Sequence, residues 1–123
     1  MAVGDLKTYE DFSGKVVDEN SVLRAVVRGT VDFSVGDNTL VVAQGAGVRV
    51  RLLGLIIHSV LAVSVRLKSG PNTVSSTLSL GANGEIVWPY NKHGWKQTEP
   101  NEALIVNATV ATGGAEFVWI PVA

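Results

Sequence analysis

The side chains able to do chemistry in this chain are few and scattered. It has two histidines, His58 and His93, and no cysteine. His58 sits with Ser59 in an apolar stretch. A metal or catalytic role would need partners, and no second histidine lies at ligand spacing. The expectation is a buried or interface histidine with a satisfied hydrogen bond. His93 lies among Tyr90, Trp95 and Lys96, where either aromatic self-packing or a contact surface is expected. No serine stands in a G-x-S-x-G setting, so a hydrolase elbow is missing. Glu99 and Glu102 could share a loop, but glycoside cleavage needs two carboxylates held across a cleft. Gly45-Ala46-Gly47 is a bare G-x-G with no helix after it, unlike a phosphate loop. Asn107-Ala108-Thr109 fits the glycosylation pattern but falls within an alternating run. The chain is expected to be non-enzymatic, with no metal and no cofactor.

Composition narrows the classes further. The chain has 123 residues, enough for one domain with a core, of which 46% are hydrophobic and 17% charged. The net charge of −1 sets up no field for nucleic acid or an anionic membrane, so neither is an expected partner. Cysteine-free composition fits a reducing cytosol. The start, MAVGDLKTYEDF, lacks the basic and apolar runs of a secretory signal. The uncharged run from Leu52 to Val65, with His58 neutral, is too short to span a bilayer comfortably.

Whatever these residues do, strands must position them. From Val48 to Gly70 the ends alternate: Val48, Val50 and Leu52 against Arg49 and Arg51, then Val63, Val65 and Leu67 against Ser64, Arg66 and Lys68. A period of two marks half-buried strands. We read the stretch as a central hairpin whose turn, near His58-Ser59, lacks the usual Gly or Asn. A helix over Leu52–Leu61 is the competing reading, opposed by β-branched residues and Gly54.

Other strands follow in order. Leu23, Ala25, Val27, Val31 and Phe33 form one face of a strand in which Gly29 suggests a bulge. Gly36-Asp37-Asn38 reads as a turn, and Leu40 and Val42 as inward residues of a short strand. Val74–Leu80 and Glu85–Trp88 flank Asn83-Gly84, the best hairpin turn in the chain. Leu104, Val106, Ala108 and Val110 alternate with Asn107 and Thr109, and Glu116–Val122 closes the chain. Eight or nine short strands with Gly/Asn turns imply an all-β antiparallel β-sandwich, jelly-roll-like. An immunoglobulin-type sandwich is the rival.

Several strands are apolar on both faces, which a sandwich strand does not need. Leu53, Leu55 and Ile57, with Val118 and Ile120, are therefore expected at a subunit interface. A homo-oligomer, naturally a trimer, would cover them. Residues 1–21 are expected to form an N-terminal arm outside a β-sandwich domain of residues 22–123. Through Ser21 the balance is five acids against Lys7 and Lys15, so the segment is acidic while the remainder is basic. A loose terminus and an arm lying on a neighbour or partner are both compatible with this composition. Arg24, Arg28, Arg49, Arg51, Arg66 and Lys68 read as solvated strand faces, or as one basic face for an acidic partner.

The second half also resembles a known group. Arg51-Leu52-Leu53-Gly54-Leu55, Val65-Arg66-Leu67-Lys68-Ser69-Gly70, Leu80 with Asn83-Gly84, Pro89, Gly94-Trp95 with Thr98, Glu102-Ala103-Leu104, and Gly113-Gly114 carry the likeness over Val48–Val122. This pattern of turns and alternation resembles small tailed-phage virion proteins, the capsid decoration (cement) proteins. The resemblance implies a β-sandwich, often trimeric, on the outer capsid surface of a virion, with the major capsid protein as partner and no catalytic residues. Under it, Tyr9, Phe12, Val16 and Val17 are the expected capsid or subunit contacts, and Tyr90, His93 and Trp95 a second contact loop. The alternative is a receptor- or glycan-binding module of a phage tail or head fibre, with Trp88, Tyr90 and Trp95 as a stacking platform.

Overall fold

Alternating runs become strands along most of the chain, and two breaks in the alternation decide which faces they show. The computed structural model describes residues 15–17 and 23–123. A short hairpin comes first: β1 (Lys15–Val17) pairs antiparallel with β2 (Leu23–Ala25). The body consists of β3 (Val27–Asp32), β4 (Gly36–Val41), β5 (Arg49–His58), β6 (Val63–Ser69), β7 (Asn72–Thr73), β8 (Leu78–Leu80), β9 (Glu85–Trp88), β10 (Lys96–Gln97), β11 (Leu104–Ala108) and β12 (Gly114–Val122). Tyr9 and Phe12 lie outside the described residues. Val16 and Val17 stand on β1, opposite Arg24 and Leu23.

The body is an antiparallel sandwich of two 5-stranded sheets. The first runs β3-β12-β5, with β9 and β10 both on the far edge of β5; the second runs β4-β11-β6, with β7 and β8 both on the far edge of β6. Setting aside the short β7 and β10, the first strand (β3) lies beside the last (β12), and the second (β4) beside the second-to-last (β11). The chain changes sheet at every step but β6 to β8. That is a jelly-roll arrangement, and the expected fold class holds.

The core lies between the sheets. Val50, Leu52, Leu55, Ile57, Ala115 and Phe117 from the first meet Val63, Val65, Leu67, Leu104, Val106 and Ala108 from the second. Leu52 and Ile57 are fully buried, and each contributes roughly 1.5–3 kcal/mol of transfer free energy. A smaller cluster, Leu53, Ile120 and Val122 with Val26 and Val118 against it, sits on the other side of the first sheet.

Several expectations are corrected. The Val48–Gly70 stretch is not a hairpin: β5 and β6 belong to opposite sheets, and Ser59–Ala62 arches between them. This fits the missing turn residues, since an arch needs no tight reversal. Asn83 does adopt the left-handed conformation (φ 57), but its turn joins β8 in one sheet to β9 in the other. Gly36-Asp37-Asn38 opens β4 instead of turning. Asn38, buried, accepts from Ser34 N–H (2.8 Å) and donates to Ser34 O (2.9 Å), tying the preceding loop down. A bulge shifts the β4–β11 register beside Leu40, so Val41 is buried and Val42 is 66% exposed.

The doubly apolar strands have an internal cause. The β5–β12 register shifts between Val118 and Trp119, so Leu53 is the extra residue. Val50 and Leu52 face the core before the bulge, and Leu55 and Ile57 after it. Leu53, Leu55, Ile57 and Ile120 are at most 2% exposed within the chain itself, so they have no surface to offer a second subunit. Of the expected interface set only Val118 is half-buried. Both faces of the run read as apolar because the bulge assigns its residues to two separate clusters.

Gly29 is not a bulge, since the β3–β12 register passes through it unbroken. It makes room for a ring: a Cβ there would stand 2.6 Å from Phe117 Cζ. Gly29→Ala is expected to cost about 1–3 kcal/mol in urea unfolding. Trimming the ring with Phe117→Leu in the same chain should make the alanine cheaper than it is alone. Equal costs in both backgrounds would argue against this packing role.

Candidate functional site

The outer face of the first sheet is the surface most suited to a ligand. Its strands are paired so that side chains fall in rows: Arg28 opposite Val118, Thr30 opposite Glu116, Val87 opposite Ile56, and Glu85 opposite His58. Ile56 and Val87 are 39% and 51% exposed on a face that a monomeric sandwich would be expected to make polar. With Gly54, Val118, Tyr90, Arg28, Thr30 and Glu116 they line an open groove of ≈ 540 Å³. Beyond Ile56 and Glu116 it continues into a hollow of ≈ 220 Å³ beside Asp32, His58 and Glu85.

Tyr90 reaches this groove because the β9–β10 connection is tied to the bulged part of β5. Asn91 N–H donates to Leu53 O and Trp95 N–H to Leu52 O, both at 2.8 Å. The loop crosses close over Gly54, where a Cβ would meet Tyr90 Cα at 3.4 Å, an ordinary van der Waals contact. Gly94 is required on two counts, a φ of +86° and a Cβ position 2.6 Å from the Arg51 stem. Arg51 is buried beneath this loop, and its Nε–H donates to Gln97 Oε1 at 2.7 Å.

The expected aromatic platform comes apart. Trp88 turns inward and packs against the main core. Trp95 stacks on it at 5.5 Å between centroids, and its Nε1–H donates to Pro89 O within the same loop. These two rings therefore hold the loop together, an offset-stacked arrangement with its polar edge satisfied. His93 is exposed at the loop turn, away from the groove, with its backbone N–H on Asn91 Oδ1. Of the contact residues Tyr90, His93 and Trp95, only Tyr90 lines the groove.

The remaining candidates are dispersed. His58 is exposed at the end of β5 instead of buried, because the bulge at Leu53 sets its parity. Glu102 accepts from Ser69 Oγ–H (2.7 Å), and that hydroxyl accepts from Glu99 N–H (2.9 Å). The Glu99 carboxylate instead faces Arg49, 3.6 Å away. Among the described residues no three His, Asp or Glu side chains could hold a metal. The basic residues do not form one face: Arg28 lies on the first sheet, and Arg66 and Lys68 on the outer face of the second.

A feature that residue-by-residue reading missed lies at one end of the sandwich. Four connections meet there: Phe33–Val35, Ser59–Ala62, Gly81–Gly84 and Thr109–Gly113. None carries a charge, and Val35, Val60 and Leu61 stand 67%, 58% and 55% exposed. The loops are cross-tied. Thr112 Oγ1 accepts from both Val60 and Leu61 N–H at 3.1 Å. Asn83 N–H donates to Val60 O, Ser59 N–H to Gly84 O, and Phe33 N–H to Gly113 O, each at 3.0 Å. Loops fixed in this way, with aliphatic side chains held out in water, would lose little freedom on docking. The signal was present in four uncharged turns, but nothing in the sequence said they converge.

Compared with known proteins, the chain matches no family model, and no curated protein matches it.

The second sheet's outer face shows ordinary polar surface chemistry. Asp37 accepts from Asn107 Nδ2–H (2.8 Å) and pairs with Lys68 Nζ (3.0 Å). The Asn107 hydrogen bond, then Lys68, hold its carboxyl below the usual value of 3.8. A lowered carboxyl stabilises the fold above its unfolded pKa, and that contribution is lost as pH falls through the folded value. Asp37→Asn should flatten the loss of urea stability between about pH 5 and pH 2 by less than about 1 kcal/mol, since the carboxylate is half exposed. An unchanged acid slope would assign that loss to other carboxylates.

Proposed function

We propose that this protein is a non-enzymatic phage head decoration protein, which binds the outside of an assembled capsid. The observation that supports this reading is the rigid, uncharged apolar tip formed by the four joined loops. Its aliphatic side chains gain by leaving water, and its loops lose little freedom on docking. The likeness of Val48–Val122 to decoration proteins supplies the partner, the major capsid protein. The outward row beside the tip, Asp32, Gly114, His58 and Glu85, is acid-rich. An acidic collar steers the tip toward a basic protein surface and away from anionic lipid.

In this reading the work is mechanical. Decoration clamps neighbouring capsid subunits by burying apolar surface between them. The trimeric state enters through the resemblance alone, because most residues expected at its interface are buried inside the chain.

Purified protein mixed with undecorated heads is expected to co-sediment in fixed stoichiometry. Val60→Asp with Leu61→Asp should weaken binding about tenfold or more, while circular dichroism and the melting temperature stay near those of the parent. Binding that ignores the tip charges but disappears on deleting residues 1–21 would move the contact to the arm. A failure to bind heads at all would sink the reading. Light scattering at micromolar concentration is expected to give a trimer, and a monomer would remove the trimer while leaving head binding open to the first test.

A further inference from the structure

We propose that the groove across β3, β12, β5 and β9 is a binding site for a neutral saccharide, independent of head binding. Four strands at about 4.8 Å spacing make it about 14 Å across, long enough for a short oligosaccharide. Its floor is apolar and low: Gly54 contributes no side chain, and Ile56 and Val118 lie to either side. Tyr90, 42% exposed, lines one end.

The polar groups decide the class of ligand. Arg28 and Glu116 both face the groove, from neighbouring strands, and Thr30 lies opposite Glu116. Among the described residues neither the Arg28 nor the Glu116 side chain has a hydrogen bond or an ion pair. The groove thus offers an unpaired donor and an unpaired acceptor whose charges cancel. With the two charges balanced, a ligand of either net charge gains no net Coulomb attraction there. A purely apolar ligand would leave both without partners when water is displaced. A sugar ring satisfies all three demands: hydroxyls that donate to Glu116 and accept from Arg28, and an apolar C–H face for Tyr90 and the aliphatic floor. The aromatic side chain at the site is Tyr90, since Trp88 packs on the core and Trp95 stacks on Trp88.

The test uses the full-length protein, isotope-labelled, titrated with maltotriose, cellotriose and chitotriose in turn. At least one is expected to give saturable amide shifts centred on Thr30, Gly54 and Val118. Tyr90→Ala should weaken that titration about tenfold, and Glu116→Gln or Arg28→Ala several-fold. Lys68→Ala, on the opposite face, should leave it unchanged. Glu116→Gln keeps the shape of the side chain, so its effect is readable even if Tyr90→Ala disturbs the loop. No saturation with any of the three sugars would overturn the proposal. So would shifts confined to the opposite face, or tighter binding of an acidic oligosaccharide such as trigalacturonate. A synthetic peptide of residues 1–14 producing the groove shifts in place of the sugars would assign the groove to the chain's own arm. Tip variants that lose head binding while keeping the sugar shifts would separate this site from the decoration reading.

Discussion

Strand β5 is hydrogen-bonded along both edges, to β12 on one side and to β9 and then β10 on the other. It cannot shift without breaking ladders on both sides, and one residue of slip would turn its buried leucines to the other face. The extra residue at Leu53 is thereby locked in place. It divides β5 into two segments that both face the core, and sends Leu53 to a second cluster beneath Val26 and Val118. The loop after β9 crosses the same point, with Leu52 and Leu53 carbonyls accepting its amides. Bulge, loop and the placement of Tyr90 are one structural event.

That event also separates the two surfaces of interest. Beyond the bulge the outward side chains of β5 are Ile56 and His58, which begin as groove floor and end as collar. The groove is a sheet face, shaped by register and by Gly54. The tip is a set of loops, shaped by hydrogen bonds that run between connections far apart in sequence. One combines apolar and charged groups, and the other has aliphatic groups with no charge. Surfaces so different in chemistry suit different partners.

Much of the architecture was legible. Alternation at Val63–Lys68 and at Leu104–Ala108 predicted strands and correctly named the inward residues. Asn107, Thr109, Arg66 and Lys68 were rightly placed outward. Turn chemistry marked Asn83-Gly84 and Gly113-Gly114. It could not say whether a turn closes a hairpin or carries the chain to the other sheet, because local backbone angles do not encode the partner strand. The candidate site was legible only as a list of aromatic residues. Trp88, Tyr90 and Trp95 are close in sequence, yet one packs on the core, one stacks on it, and one lines the groove. Parity on β9 and the loop anchorage on β5 sort them.

The sequence alone determined that this chain is all-β, that its strands are short, and which residues of each unbroken alternating run share a face. Those properties follow from the period of two and from glycine and asparagine in the turns, and both are local. Only the tertiary structure decided that β5 and β6 part into opposite sheets, and that Leu53, Leu55, Ile57 and Ile120 are buried in the same chain. It also decided that four uncharged turns meet at one end. Those outcomes depend on which strands pair and where a bulge resets the register, and both are settled by contacts between residues far apart in the chain.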